Sequence, residues 1–389
     1  MIFRKIAFIL LAGLLAGGLW AQSSWEGARI TLLTCSPGQA LYSSFGHTAL
    51  RIQDPSRGLD QIYNYGTFDF NTPHFYWKFM RGKLLYNLSI QSFSSFMSEY
   101  REEGRAVYEE EVLLDGAEKE AVARFLAENY RTENRYYLYD FFFDNCSSRI
   151  RDVFEAVLKD RLTYVFPKTG ETITYRQAIN PYIQAWPWLD LGIDLLLGTP
   201  TDRVADERGM MFLPDFLSEN LAYARIDGER NLLGPRVYLL DRQFDPPQRA
   251  RPYPAILFWA LLPVFLLLWR FSPRLIRTAD LFFWTLFGLV GCLVAFMTWG
   301  TDHQATQHNW NILWLNPVQL AVAIGLMINR KARWLKVFGW IQLLVAVGIL
   351  ISWKWLPQEI PAACFPLVLL LGIQSWRLAK VYVPLISPK

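Results

Sequence analysis

The sequence predicts an α+β soluble domain followed by an all-α domain of five membrane spans. Three observations carry this. Residues 23–240 have soluble composition and mix alternating with helical apolar patterns. A polar, proline-rich stretch follows at 241–253. From 254 to 389 the chain holds five apolar runs of roughly 18–21 residues, each long enough to cross the hydrocarbon core.

Taken in order, residues 1–22 read as a signal peptide or an uncleaved anchor. Arg4 and Lys5 precede the apolar run Ile6 to Leu19, and Ala21-Gln22 supplies a small-residue cleavage point. Ala28-Ile30-Leu32, Thr48-Leu50-Ile52 and the run Gln61 to Gly66 alternate as half-buried strands do. Helical spacing returns over residues 92–104 and 116–133. It returns again from Cys146, where Ile150, Val153, Phe154, Val157 and Leu158 share one face. The spans are expected near 254–270, 280–299, 312–329, 334–353 and 360–379. Arg270, Arg274 and Arg277 follow the first; Arg330, Lys331, Arg333 and Lys336 follow the third; Arg377, Lys380 and Lys389 lie in the tail. The connection 300–311 has no Lys or Arg. Positive charge on the inside then puts the C-terminus in the cytoplasm and the soluble domain outside, on the side a signal peptide would also give. Tryptophans near span ends, among them Trp299, Trp310, Trp314, Trp353 and Trp355, fit an interfacial belt.

The chemistry-bearing segments are Ser44-Phe45-Gly46-His47-Thr48 and Phe143-Asp144-Asn145-Cys146-Ser147. The first opens a strand with a histidine, the second a helix with a cysteine. Such a pair can act as thiol nucleophile and base, and the helix dipole favours the thiolate. Asp144 or Asn145 can cap that helix. A third polar group usually orients the base. Asn64 on the next strand is the first choice and Asp69 the alternative. A backbone N–H near Cys146, with Asn145 as a possible helper, would stabilise an oxyanion. The plain alternative is a core histidine beside a buried small thiol. Of the other cysteines, Cys292 and Cys364 sit inside apolar runs, and Cys35 suits a structural role or, in an oxidising compartment, a disulfide with Cys146. No zinc-like spacing occurs, so no metal and no cofactor are expected. A formal net charge of +4 without a basic tract or phosphate loop argues against nucleic-acid partners.

The connection Thr301-Asp302-His303-Gln304-Ala305-Thr306-Gln307-His308-Asn309-Trp310-Asn311 is unusually polar for its place. His303, Asn309 and Asn311 are candidates for positioning a headgroup or an amine. The plainer reading is a loop whose side chains cap helix ends.

The order of histidine then cysteine, one opening a strand and the other a helix, resembles the circularly permuted NlpC/P60 papain-like proteins. That superfamily includes enzymes that move acyl chains from phospholipids through a cysteine thioester. A longer resemblance runs through Thr34-Cys35-Ser36-Pro37-Gly38, Phe45 to Ile52, Tyr63 to Phe70 and Phe143 to Asp152. It is to the Lnb family of the Bacteroidota, which pairs a periplasmic domain with five membrane helices. The resemblance implies a lipoprotein N-acyltransferase of the bacterial inner membrane. Its acyl donor would be a membrane phospholipid. Its acceptor would be the α-amino group of the N-terminal cysteine of diacylglyceryl apolipoproteins. The chain shows no departure from the family at the His47 and Cys146 motifs, so Cys146 and His47 would be its catalytic pair, with Asn64 the first choice for the third residue. A membrane-bound cysteine hydrolase, acting as peptidase, amidase or phospholipase, is the competing expectation, and a non-catalytic scaffold the third. The oligomeric state is left open.

Overall fold

The computed structural model describes residues 25–166, 172–244, 248–329 and 332–380. The expected signal segment, 1–22, lies outside them. The chain forms two compact units, one within Met1–Asp69, Leu85–Thr169 and Glu207–Asp245, the other within Phe70–Leu84, Gly170–Asp206 and Pro246–Lys389. A single boundary at residue 240 therefore does not describe the packing. Two segments of soluble composition belong with the C-terminal helices.

The first unit is built on a seven-stranded antiparallel sheet. Its strands are β1 (Arg29–Cys35), β2 (His47–Asp54), β3 (Leu59–Thr67), β4 (Leu85–Ser92), β5 (Val107–Val112), β6 (Tyr136–Leu138) and β7 (Leu233–Leu240). They lie in the order β7-β5-β1-β2-β3-β4-β6. The alternation read in β1 to β3 is that of strands buried on one or both faces, and β1 is buried over Ile30–Cys35. Helix α1 (Phe93–Glu102) starts at Ser92, whose hydroxyl caps Ser95 N–H at 3.2 Å. It lays Phe96, Met97 and Tyr100 on Leu33, Ala49, Ile62 and Val107. Helix α2 (Gly116–Tyr130) opens with a reciprocal capping box between Asp115 and Glu118. Helix α3 (Cys146–Leu158) buries Ile150, Val153 and Phe154 and packs on β2 and β3. The apolar stripe predicted from Ile150 to Leu158 is what fixes that face. Helix α4 (Pro214–Tyr223) follows, with Leu217 and Leu221 fully buried.

Among the described residues, the second unit holds five helical stretches long and apolar enough to cross a membrane. Four of them contain the long helices α5 (Tyr253–Phe271), α6 (Pro273–Trp299), α8 (Arg333–Ser352) and α9 (Phe365–Lys380). The third differs from the expected single helix. Its apolar stretch, Gln304–Ile328, enters as short 3-10 turns at Gln304–Thr306 and Trp310–Leu313, and only Val318–Ile328 (α7) is α-helical. Asn316-Pro317 breaks the helix there, since a proline interrupts the backbone ladder and restricts its predecessor. Gln342 Nε2 meets the exposed carbonyl of Leu313 at 3.0 Å, and Gln319 Nε2 meets that of Trp314 at 2.7 Å. Trp314 itself is fully buried, not interfacial, and its Nε1–H donates to Asn311 Oδ1 at 2.9 Å.

Arg377, read from sequence only as a cytoplasmic charge, is 4% exposed and forks onto Asp280 of α6, Nη1 to Oδ1 at 2.6 Å and Nη2 to Oδ2 at 3.1 Å. A bidentate pair compensates both charges where lipid cannot.

The segment at 172–206 joins this unit through polar contacts. Arg176, 1% exposed, bonds Asp202 and Asp194 and the carbonyl of Leu197. Leu191 belongs to the apolar cluster of the membrane helices, and Leu195 packs against it. At Gly198 a Cβ would lie 1.9 Å from the Gln307 carbonyl oxygen, so only glycine allows this approach.

Candidate active site

The site forms where β2 and β3 part. Their ladder runs from Leu50↔Tyr63 to Asp54↔Leu59. Beyond it, β3 carries a register shift between Asn64 and Thr67 against β4. Gly66 sits in that irregularity with φ +86°, a conformation that disfavours any side chain. Such bulges re-aim strands beside functional sites. A Cβ on Gly66 would lie 3.5 Å from Cys146 Cβ and 3.6 Å from Tyr139 Cε2. The bulge therefore puts bare backbone against the first turn of α3.

Cys146 is the first residue of α3 and is buried. Asn145 holds the turn open at the right place. Its Oδ1 accepts from Ser147 N–H and Ser148 N–H, both at 2.9 Å. Its Nδ2 donates to the carbonyls of Phe141 and Phe212, both at 2.7 Å. The cap takes the N–H groups of Ser147 and Ser148 and leaves that of Cys146. Both Nδ2 hydrogens are committed, so Asn145 is a cap and not the oxyanion donor it was a candidate for. Asp144, the other capping candidate, instead forks onto Arg149, with Nη2 to Oδ2 at 2.6 Å.

His47 opens β2 directly after Gly46, whose φ is +81° and whose missing Cβ would meet the Cys35 carbonyl oxygen at 2.7 Å. His47 Nε2 lies 3.2 Å from Asn64 Oδ1. With the proton on Nε2 donated there, Nδ1 is the ring nitrogen that remains free to act as a base, and the ring lies close enough to Cys146 for each to shift the other's ionisation. The structure thus brings Cys146, His47 and Asn64 together. Asp69 lies on exposed chain beyond β3.

Burial pushes the Cys146 thiol up. The His47 charge and hydrogen bond, the Thr48 N–H and the Ser147 hydroxyl outweigh it and bring the thiol down to about 7. Burial likewise lowers His47, but the charge of Cys146 and the bonds to Cys146 and Asn64 raise it above its ordinary value. The two shifts run in the directions that favour charge separation between thiol and imidazole. Thr48 Oγ1 and Ser147 Oγ are 3.1 Å apart, and Ser147 Oγ is 3.9 Å from Cys146 Sγ. Neither Thr48 nor Ser147 stood out in the sequence, and their signal was only adjacency to the two motifs. Cys35 is fully buried on β1 and carries no disulfide; burial pushes its thiol up to about 12. Among the described residues, no three His, Cys, Asp or Glu side chains gather as a metal site.

The polar loop of the second unit is structural at two of its three candidates. Asn309 donates to the carbonyls of Leu195 at 2.8 Å and Leu196 at 3.1 Å, while its Oδ1 accepts from Asn311 N–H and Gln358 Nε2. Asn311 donates to the Leu195 carbonyl at 3.1 Å and accepts from Trp314. They are 2% and 0% exposed. Their polar atoms are occupied by the protein, which leaves none for a headgroup. His303 Nε2 lies 3.0 Å from the Phe79 carbonyl oxygen.

Among known proteins, the Lnb N-terminal periplasmic domain matches residues 20–180 and the Lnb transmembrane domain matches residues 246–382. No curated protein and no solved structure gives a significant match. With a mixed α+β domain, five apolar helical stretches and both matched domains in family order, the chain belongs to the Lnb family.

Proposed function

We propose that this protein is a lipoprotein N-acyltransferase. It moves an acyl chain from a membrane phospholipid, through a thioester on Cys146, to the α-amino group of the N-terminal diacylglyceryl cysteine of a lipoprotein. The observation that carries the reading is a Cys146–His47–Asn64 arrangement, with Cys146 and Asn64 buried and His47 half-buried, in a chain that also carries five apolar spans.

In the first half-reaction His47 holds the Cys146 proton and the thiolate adds to an ester carbonyl. The C–O bond breaks, the leaving oxygen takes the proton from His47, and lysophospholipid departs. In the second half-reaction a neutral amine adds to the thioester. His47 takes the amine proton as the C–S bond breaks, and the free thiol returns. Asn64 keeps the ring in one tautomer and orientation. The Cys146 N–H at the start of α3 is placed to meet oxyanion charge, helped by the helix dipole. A thioester suits the role because thiolates leave readily and amines attack them well. Both substrates are anchored in lipid, so membrane spans keep the catalytic domain where its substrates are. The orientation proposed is a soluble unit on the periplasmic face and a cytoplasmic C-terminus.

Incubating the purified full-length protein with phospholipid in detergent micelles tests this. Intact mass should rise by one acyl group on Cys146, hydroxylamine should remove it, and Cys146→Ala should acquire none. Steady release of free fatty acid, unchanged by an amine acceptor, would point to the hydrolase instead.

A further inference from the structure

Strand β6 brings a second group to the corner where β2 and β3 part. Tyr137 pairs with Tyr86 in the outermost ladder of the sheet and is 8% exposed. Its ring lies edge-on to Tyr65, with centroids 6.4 Å apart. The Arg149 guanidinium sits 3.9 Å above it, and Arg149 is itself fixed by Asp144. Arg149 is one helical turn beyond Cys146, so these contacts press the Tyr137 ring onto the first turn of α3.

The hydroxyl of Tyr137 is buried and has no hydrogen-bond partner of good geometry among the described residues. The Gly66 N–H faces its oxygen, so it is the hydroxyl proton that lacks an acceptor. Leaving a buried donor unsatisfied costs stability, and a phenylalanine would fill the same space without that cost. Gly66 is also the bulge residue that faces Cys146 and the ring of Tyr139, where a Cβ would fall within ordinary contact distance of both. One backbone unit thus touches both the phenol and the nucleophile. Tyr139 completes the wall, stacked on Tyr86 at 4.4 Å.

We propose that the Tyr137 hydroxyl is a catalytic donor to the oxyanion formed when the Cys146 thiolate adds to an ester carbonyl. This rests on the thioester chemistry proposed above. As the S–C bond forms, the carbonyl π pair moves onto oxygen, which then accepts from Tyr137 Oη–H and from the Cys146 N–H. The pair returns as the ester C–O bond breaks, and the leaving oxygen takes its proton from His47. Tyr137 keeps its proton throughout. Burial, and then the nearby Cys146 charge, hold the hydroxyl well above the ordinary tyrosine range, so it donates without ionising. The same contact serves the second half-reaction, where charge reappears on the same oxygen.

Tyr137→Phe tests this with two readouts on the full-length protein. Alkylation of Cys146 by iodoacetamide needs a thiolate but no oxyanion donor. Acylation of Cys146 by p-nitrophenyl butyrate needs both, and it follows the donor whether or not phospholipid is the natural substrate. The expected result is an unchanged alkylation rate and a thermal midpoint at or above that of the wild type, with ester acylation slowed about 100-fold or more and little change in half-saturating ester concentration. Acylation at the wild-type rate overturns the proposal. So does a parallel fall in both reactions, which would make Tyr137 a packing residue. If wild type reacts with the nitrophenyl ester but never with phospholipid, the acyltransferase reading fails while the Tyr137 result still stands on its own.

Discussion

At the residue scale, the central feature is a thiol whose burial is overruled by four specific contacts. Removing the imidazole leaves only the Thr48 and Ser147 contacts to oppose burial, so the sign of the shift reverses. Alkylation of Cys146 in the wild type should therefore rise with pH through a midpoint near 7, well below the ~8.5 of an unperturbed cysteine. In His47→Ala the midpoint should move above that of an unperturbed cysteine. A pH series of iodoacetamide rates, read by mass spectrometry of the Cys146 peptide, checks both. A wild-type midpoint at the unperturbed value would remove the ion pair from the account. The positions of Cys146 and His47, the proposed nucleophile and base, were legible in the sequence because each sits beside a local signal: Gly46 before the strand, and Asp144-Asn145 before the helix. Asn64 was the first choice over Asp69 from its place on the next strand, and the contact itself depends on where β3 leaves the ladder. Tyr137 was invisible in the sequence. Its position follows from the Gly66 bulge, which no residue pattern in β6 announces.

At the element scale, α3 depends on one side chain. Asn145 makes four hydrogen bonds, two that begin the helix and two that tie it to Phe141 and Phe212. Asn145→Ala loses the cap and strands two carbonyls, a destabilisation of about 2–4 kcal/mol. Thermal unfolding in detergent should show a lowered midpoint for this variant, whereas Asp144→Ala, which loses a half-exposed ion pair, should lower it far less. Equal midpoints for Asn145→Ala and wild type would contradict the cap. The helical period of 146–158 was plain from sequence, since one apolar face decides it. The third span was not. Hydropathy over 312–329 is continuous, yet the Asn316-Pro317 break and the Asn309 and Asn311 side chains turn its entrance into 3-10 pieces. The two asparagines of this loop left ligand positioning and helix-end capping both open in the sequence, and in the structure both anchor backbone carbonyls of Leu195 and Leu196.

At the scale of the whole molecule, composition divided the chain where hydropathy changes, but packing divides it elsewhere. The segment 172–206 is polar enough to look soluble, and its leucines and Arg176 nonetheless bind it to the helical unit. That unit is locked by Arg377 and Asp280, each 5% exposed at the side chain. Replacing Asp280 alone with alanine would leave an uncompensated arginine inside the spans, costing about 3–5 kcal/mol. Asp280→Ala should reduce the yield of monodisperse protein in detergent, and the Asp280→Ala, Arg377→Ala double variant should recover much of it. A double variant no better than the single one would argue against the pair. The five-span domain also sets what the chemistry can be for. Under the proposed function, transfer between two lipid-anchored molecules gives this domain a use that a soluble thiol enzyme would not have.

The most direct measurement is mass spectrometry of the N-terminal peptide of a lipoprotein. It should come from cells that lack any other such enzyme and carry this protein, its Cys146→Ala form, or neither. The account predicts a triacylated cysteine with the wild type and only the diacylated form with the variant or with neither. The same acylation state in all three would contradict it.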